Sequence, residues 1–293
     1  MILLLFIINQ DIDFEDLYNK ATTLLVQFQT EKDSAFEILV ELGQDTLYAD
    51  TAIDFLVSKF DTKSAIERHR MKDIFKKIGT PAINGIVKKI DYRGKDEESR
   101  HLKQSLWVLG EIGSDEIVEP VARFIKDEQW QIRSGAYTAL GKSESKNALS
   151  YIIQGIDDSI SIVRKSAYYA LSRLATEHEI LYLICGLDDE FYGVRYAAVA
   201  GLLNIGEKTF SPLMEKIGEN SLKDYFIFKT LLQFDIDMSE KKKILKYLDD
   251  KEAPIRLLIY EGFEGKFILK SFIKLEHNEL LKNYIIKKVS NYQ

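Results

Sequence analysis

In four places an aspartate is followed six residues later by an arginine that sits directly after isoleucine or valine: Asp127/Arg133, Asp158/Arg164, Asp189/Arg195 and Asp250/Arg256. Seven residues past each arginine stands a large apolar residue, Leu140, Leu171, Leu202 or Phe263. The first three arginines are 31 residues apart, and the last interval, 61, is close to twice that. A fixed period of this length marks a supersecondary unit stacked on copies of itself, because one such unit cannot bury its apolar face alone. The period constrains the fold more than any other property of the chain.

Inside a unit, Val163, Ala167, Ala170, Leu171 and Leu174 recur at i, i+4, i+7, i+8 and i+11, one stripe of an α-helix. Val194, Ala198, Gly201, Leu202 and Ile205 repeat it, as do Ile132, Ala136, Ala139 and Leu140. Shorter apolar segments follow at 117–125, 148–156, 180–187 and 210–217, separated by turn signals such as Gly113-Ser114-Asp115. Helix–turn–helix, repeated, is the reading. Weaker copies extend it: Leu109 to Gly113, Phe75 to Gly79 with Arg68 in the arginine position, and Leu39 to Gly43. In one unit Leu102 replaces the arginine while Asp96 keeps the aspartate position. Residues 221–236 keep the length but lose the motif.

The combination of Asp-x5-Arg, an Ala-rich helix and Leu-Gly-x-Ile-Gly resembles the HEAT repeat, in the short HEAT-like form found in phycobilisome lyases, over residues 30–265. The resemblance implies an all-α fold, a right-handed α-solenoid of about eight stacked HEAT-like helix pairs. We read a single domain over 1–293, with an atypical N-terminal cap at 1–43, repeats at 44–265 and a C-terminal capping helix at 266–293. By the same resemblance each aspartate lies in the intra-repeat turn and each arginine in the first turn of the following, inner helix. A carboxylate just before a helix accepts backbone N–H bonds there, and an arginine fork can join it to the same or an adjacent unit. Four copies at constant spacing mark Asp127, Arg133, Asp158, Arg164, Asp189, Arg195, Asp250 and Arg256 as a structural ladder, not as catalytic groups.

Function then has to lie in what varies around the ladder. At 100° per residue, positions one, five and eight after each arginine project away from the buried stripe, and position four lies on its shoulder. Position five holds Trp107, Thr138, Tyr169 and Ala200; position four holds Tyr137, Tyr168, Val199 and Tyr260; position one holds Lys103, Ser134, Lys165 and Tyr196. Trp130 and Tyr192 stand three residues before Arg133 and Arg195. Tyrosine and tryptophan are enriched in interface hot spots. Trp107, Trp130, Tyr137, Tyr168, Tyr169, Tyr192, Tyr196 and Tyr260 are therefore the expected contacts to a protein partner, on the face that HEAT-like arrays make concave.

Charge refines the partner. The net charge is −6, and residues 1–60 carry eleven acidic against three basic side chains. An acidic balance argues against nucleic-acid binding and favours a partner with a basic segment. The apolar run at residues 1–8 is too short to span a bilayer and lacks a basic flank, so we expect neither a signal peptide nor a membrane role. The single cysteine, Cys185, follows an apolar run and is expected to be a buried thiol in a cytoplasmic protein.

Signals for enzymes are thin. Of four histidines only His178-Glu179 matches the His-Glu dipeptide that HEAT-like di-iron hydroxylases repeat, and Glu276-His277-Asn278-Glu279 is the other His/carboxylate cluster. Both read as helix-start charges. Phosphate loops and Cys/His metal spacings are absent. We therefore expect no cofactor, no metal and no catalytic residues, and a scaffold or adaptor that binds a protein, with an inhibitor of a basic toxin or enzyme as a narrower form. The alternative, implied by the resemblance, is a bilin-lyase-like or chaperone-lyase enzyme acting on a protein-bound chromophore.

Overall fold

The computed structural model describes residues 12–24, 28–235, 237–248, 251–263 and 266–291; Asp250 lies outside them. Among these residues there are eighteen α-helices and no strand. They divide into two compact units, Met1–Leu174 and Ala175–Gln293.

In the first unit the helices are α1 (Phe14–Thr22), α2 (Gln29–Gln44), α3 (Ala49–Ser58), α4 (Ala65–Ile78), α5 (Ile83–Lys88), α6 (Arg100–Ile112), α7 (Val118–Ala122), α8 (Trp130–Lys142), α9 (Leu149–Ile152) and α10 (Ser161–Leu174). The even-numbered helices carry the motif and pack in sequence, α2 on α4, α4 on α6, α6 on α8 and α8 on α10. The odd-numbered companions are shorter, and those from α5 onward are entered through a 3-10 turn, as at Asp115–Ile117 and Lys146–Ala148. The second unit continues the pattern with α11 (Ile180–Cys185), α12 (Tyr192–Ile205), α13 (Phe210–Glu215), α14 (Ser221–Leu231), α15 (Met238–Leu245), α16 (Ala253–Gly262), α17 (Lys266–Leu275) and α18 (Glu279–Ser290). Here α12 packs on α14, α14 on α16 and α16 on α18.

The described helices thus make nine pairs, in keeping with the expected count of about eight. The ninth comes from the C-terminal segment, which holds two helices instead of the expected single capping helix. The break falls at Glu276-His277-Asn278. There the Asn278 side chain caps α18 by accepting from the amides of Leu280 at 3.0 Å and Leu281 at 3.1 Å.

The aspartates and arginines stand where the repeat requires. Asp127, Asp158 and Asp189 each accept the amide two residues ahead, from Gln129, Ile160 and Phe191, at 2.8–2.9 Å. Each motif arginine is the fourth residue of its helix and turns back over the preceding turn. Arg133 Nη1 donates to the carbonyls of Asp127 at 2.9 Å and Glu128 at 3.2 Å. Arg164 meets the Asp158 carbonyl at 2.9 Å, and Arg195 those of Asp189 and Glu190. This local role leaves the other edge of the guanidinium for the neighbouring repeat. Arg133 uses it fully, binding both Asp158 carboxylate oxygens at 2.7 and 2.9 Å.

Where the motif fails, the rung survives by other means. With Leu102 buried in the core, Arg93 from the preceding turn reaches Asp127 instead. In the degenerate repeat, Asp224 occupies the arginine position, and Lys251 of the next turn binds it at 2.6 Å. The polarity of that rung is reversed and its place kept. Arg256 binds Glu276 through both oxygens, at 2.8 and 2.9 Å.

Small residues set the spacing of the motif helices. A Cβ on Gly141 would lie 2.6 Å from Ala170 Cα, and one on Gly110 would lie 3.0 Å from Ala139 Cα. Gly110 therefore permits close helix approach inside α6, and the left-handed helix end falls at the second glycine of the motif. Gly113 supplies that end, at φ 63°.

Candidate protein-binding face

Position four belongs to the core. Tyr137, Tyr168 and Tyr260 are buried, which removes them from the expected contact surface. The Tyr137 ring lies against Gly155, where any side chain would collide with it, and burial pushes its hydroxyl up to about 12. Tyr260 donates to Glu276 at 2.8 Å and packs on Phe272 with ring centroids 5.0 Å apart. The arc covered by a companion and by neighbouring motif helices is wider than a single apolar stripe, so the shoulder position is enclosed.

Position eight is covered too. Its residues Gly110, Gly141 and Ser172 are buried, and at the two glycines the next motif helix approaches closely. The solvent-facing positions of α6, α8 and α10 are one, five and nine. Position nine brings in Glu111, Lys142 and Arg173, which sequence reasoning missed. The small residue at position eight in both α6 and α8 was the available signal that the neighbour sits on that side.

The remaining aromatic candidates are accessible. Tyr192 is 63% exposed, Tyr196 52%, Tyr169 48% and Trp130 39%. Trp107 is half-buried in a groove between α6 and α8, lined also by Lys103, Gly110, Gly135, Thr138 and Lys142. With no side chain at Gly110 or Gly135, one edge of the indole faces a trough. Its other neighbours come from α4: His69 meets it edge-on with centroids 4.9 Å apart, and Lys72 Nζ lies 5.7 Å from the ring. Trp107 is therefore held in place before any partner arrives.

Trp107, Trp130 and Tyr169 belong to the first unit; Tyr192 and Tyr196 belong to the second. In the second unit Tyr196 stacks edge-on to Phe226 at 5.9 Å, and Lys229 Nζ lies 4.6 Å from its ring and 3.2 Å from its hydroxyl. Motif-helix side chains thus touch their counterparts one repeat away. In the first unit Ser134 and Ser166 do the same at 2.8 Å, as do Lys77 and Glu37 at 2.6 Å.

The His/carboxylate clusters are absorbed by structure. Glu179 closes a capping box with Thr176 at the start of the turn before α11, and Glu276 is the buried rung partner of Arg256. Among the described residues no group of three or more His, Cys, Asp or Glu side chains could hold a metal ion. Cys185, expected to be buried, is exposed at the end of α11, since the buried arc of that short helix is taken by Ile180, Leu183 and Ile184.

Residues 90–172 match the family model for HEAT repeats. The repeats in that span are HEAT repeats. Solved structures of the same fold include the Kap95p complex with RanGDP, 12% identical over 85% of this chain and 42% of that one, at a TM-score of 0.53. Another is the karyopherin Kap121p bound to the extreme C-terminus of the protein phosphatase Cdc14p, 12% identical over 89% of this chain and 34% of that one, at 0.52. This chain thus spans well under half of either protein. The CpcE–CpcF complex of phycocyanin lyase from Nostoc sp. also aligns, 15% identical over 87% of this chain and 97% of that one, at 0.38. No curated protein matches the sequence. No helix among the described residues is long and apolar enough to cross a membrane.

Proposed function

We propose that this HEAT array is a protein-binding scaffold or adaptor that acts by recognition and not by catalysis, and that its partner lies along the motif-helix faces, the side expected to be concave. The observation that carries this reading is the division of labour among side chains. The motif arginines are held by their own turns, and Arg133 and Arg256 also by rungs to the next carboxylate, whereas Trp107 and Tyr169 stand outside the ladder at the solvent-facing position five of α6 and α10. Kap121p, of like fold, is bound to the extreme C-terminus of the protein phosphatase Cdc14p; for this chain we propose a partner segment that runs across the repeats. A segment with basic residues suits the acidic N-terminal third. A cytoplasmic setting accords with an exposed, unpaired thiol at Cys185, which an oxidising compartment would leave open to modification.

The test is affinity capture from the native cell with the tagged full chain and with a Trp107→Ala/Tyr169→Ala double variant. Both side chains lie at the surface, so the variant is expected to keep its melting temperature within a few degrees. Recovery of the partner should fall at least tenfold, the loss of two hot-spot aromatics. Equal recovery from a folded variant would remove the motif-helix face from the account.

A further inference from the structure

The solvent-facing positions of the first unit are graded in charge. Positions one, five and nine are Asp33, Glu37 and Glu41 on α2, counted from Lys32, the residue in the arginine position. On α4 they are His69, Asp73 and Lys77, and on α6 Lys103, Trp107 and Glu111; both sets are close to neutral. On α8 they are Ser134, Thr138 and Lys142, and on α10 Lys165, Tyr169 and Arg173. Carboxylates alone occupy one end of the row, and cations are the only charges at the other.

These side chains share one surface. Asp33, Glu37 and Glu41 line a single groove with Ser34 and Ile38. Lys77 of α4 reaches Glu37 of α2, and Glu111 of α6 is met by Lys76 of α4 at 3.4 Å and by Lys142 of α8. Arg173 of α10 donates to the Gly141 carbonyl of α8 at 2.9 Å. The ion pairs neutralise the middle of the row, while Asp33 and Glu41 at one end and Lys165 and Arg173 at the other complete the gradient.

We infer that the segment bound along this face is bipolar: its basic residues lie over α2 and its acidic residues over α8 and α10, with an apolar stretch between them at Trp107. This inference rests on the protein-binding reading above and specifies the partner's charge order, since like charges placed opposite one another penalise the reverse arrangement. Four helix-to-helix steps of about 8–10 Å cover roughly 32–40 Å. About ten to twelve extended residues span that length.

A fluorescently labelled dodecapeptide, four lysines, Leu-Ser-Leu-Ser and four glutamates, tests the charge order against a peptide of equal composition in which Lys and Glu alternate on both sides of the same centre. In low salt, where surface charges are least screened, the block peptide is expected to bind the full chain at least tenfold more tightly. A photo-crosslinker on its lysine end should label α2. Reversing both ends of the row (Asp33→Lys, Glu37→Lys, Glu41→Lys with Lys142→Glu, Lys165→Glu, Arg173→Glu) should keep the affinity and move that label to α10. Block and alternating peptides binding within twofold, absence of block-peptide binding, or a label that stays put would each overturn the inference. The Trp107/Tyr169-dependent capture of a partner judges the broader reading separately.

Discussion

Replacing Glu276 with alanine is expected to destabilise the C-terminal repeats by about 3–5 kcal/mol, the range for stripping one partner from a buried charge pair. The carboxylate is fully enclosed and gathers four donors: Nε and Nη2 of Arg256, the Tyr260 hydroxyl at 2.8 Å and the Asn278 amide at 2.6 Å. Truncation leaves the guanidinium without its counter-charge and a buried phenol without an acceptor. Because each repeat contacts only its neighbours, the loss should appear first in α17 and α18, as faster amide exchange there than in α12. Glu276→Gln, which keeps shape and one acceptor, should cost less. The same site predicts an acid limb. Burial alone would raise the Glu276 carboxyl, but its hydrogen bonds with Arg256, the Asn278 amide and Tyr260 outweigh that and bring it from the ordinary 4.5 to about 2. A depressed carboxylate stabilises the fold above its unfolded value, and that stability is lost as pH falls from about 4.5 toward 2. The shift corresponds to about 3 kcal/mol. Urea unfolding across that window should show the loss in the wild type and little of it in Glu276→Gln.

Arg133→Ala is expected to cost about 2–4 kcal/mol, somewhat less because the pair is only partly buried. Burial works to raise the Asp158 carboxyl, yet the Arg133 fork and the Ile160 amide hold it below the usual range. Removing Arg133 strands that carboxylate and frees the Asp127 and Glu128 carbonyls as well. A cycle with Asp158→Ala should show coupling of 1 kcal/mol or more, about the value for groups in one hydrogen-bonded network. Additive single effects would mean that the rung is incidental and the repeats are held by packing alone.

The architecture was legible because its signal is redundant. Period, apolar stripe and the Asp/Arg pair all point to one repeat, and each arginine is found at the fourth position of its helix. What could not be read depended on neighbours in space. Tyr137 and Tyr260 look like surface aromatics on a projected helix, but the companion and adjacent motif helices enclose them. Position eight looks exposed until Gly141 is seen against Ala170. Asp224 and Lys251 carry no trace of the motif, because a rung needs opposite charges and not a particular polarity. The C-terminal break at Glu276-His277-Asn278 resembled a charge cluster for a similar reason: the sequence shows the carboxylate, and the fold supplies the arginine that buries it.

Site-specific photo-crosslinking in the native cell tests most directly the claim that the ladder is scaffold and the motif-helix face is the binding surface. A photoreactive residue is placed at Trp107 or Tyr169 on that face, and at Glu119 or Ser150 on the companion helices α7 and α9, in otherwise wild-type chains. The account predicts one common partner captured from positions 107 and 169 and not from 119 and 150. Capture from the companion positions with none from 107 and 169 would contradict it.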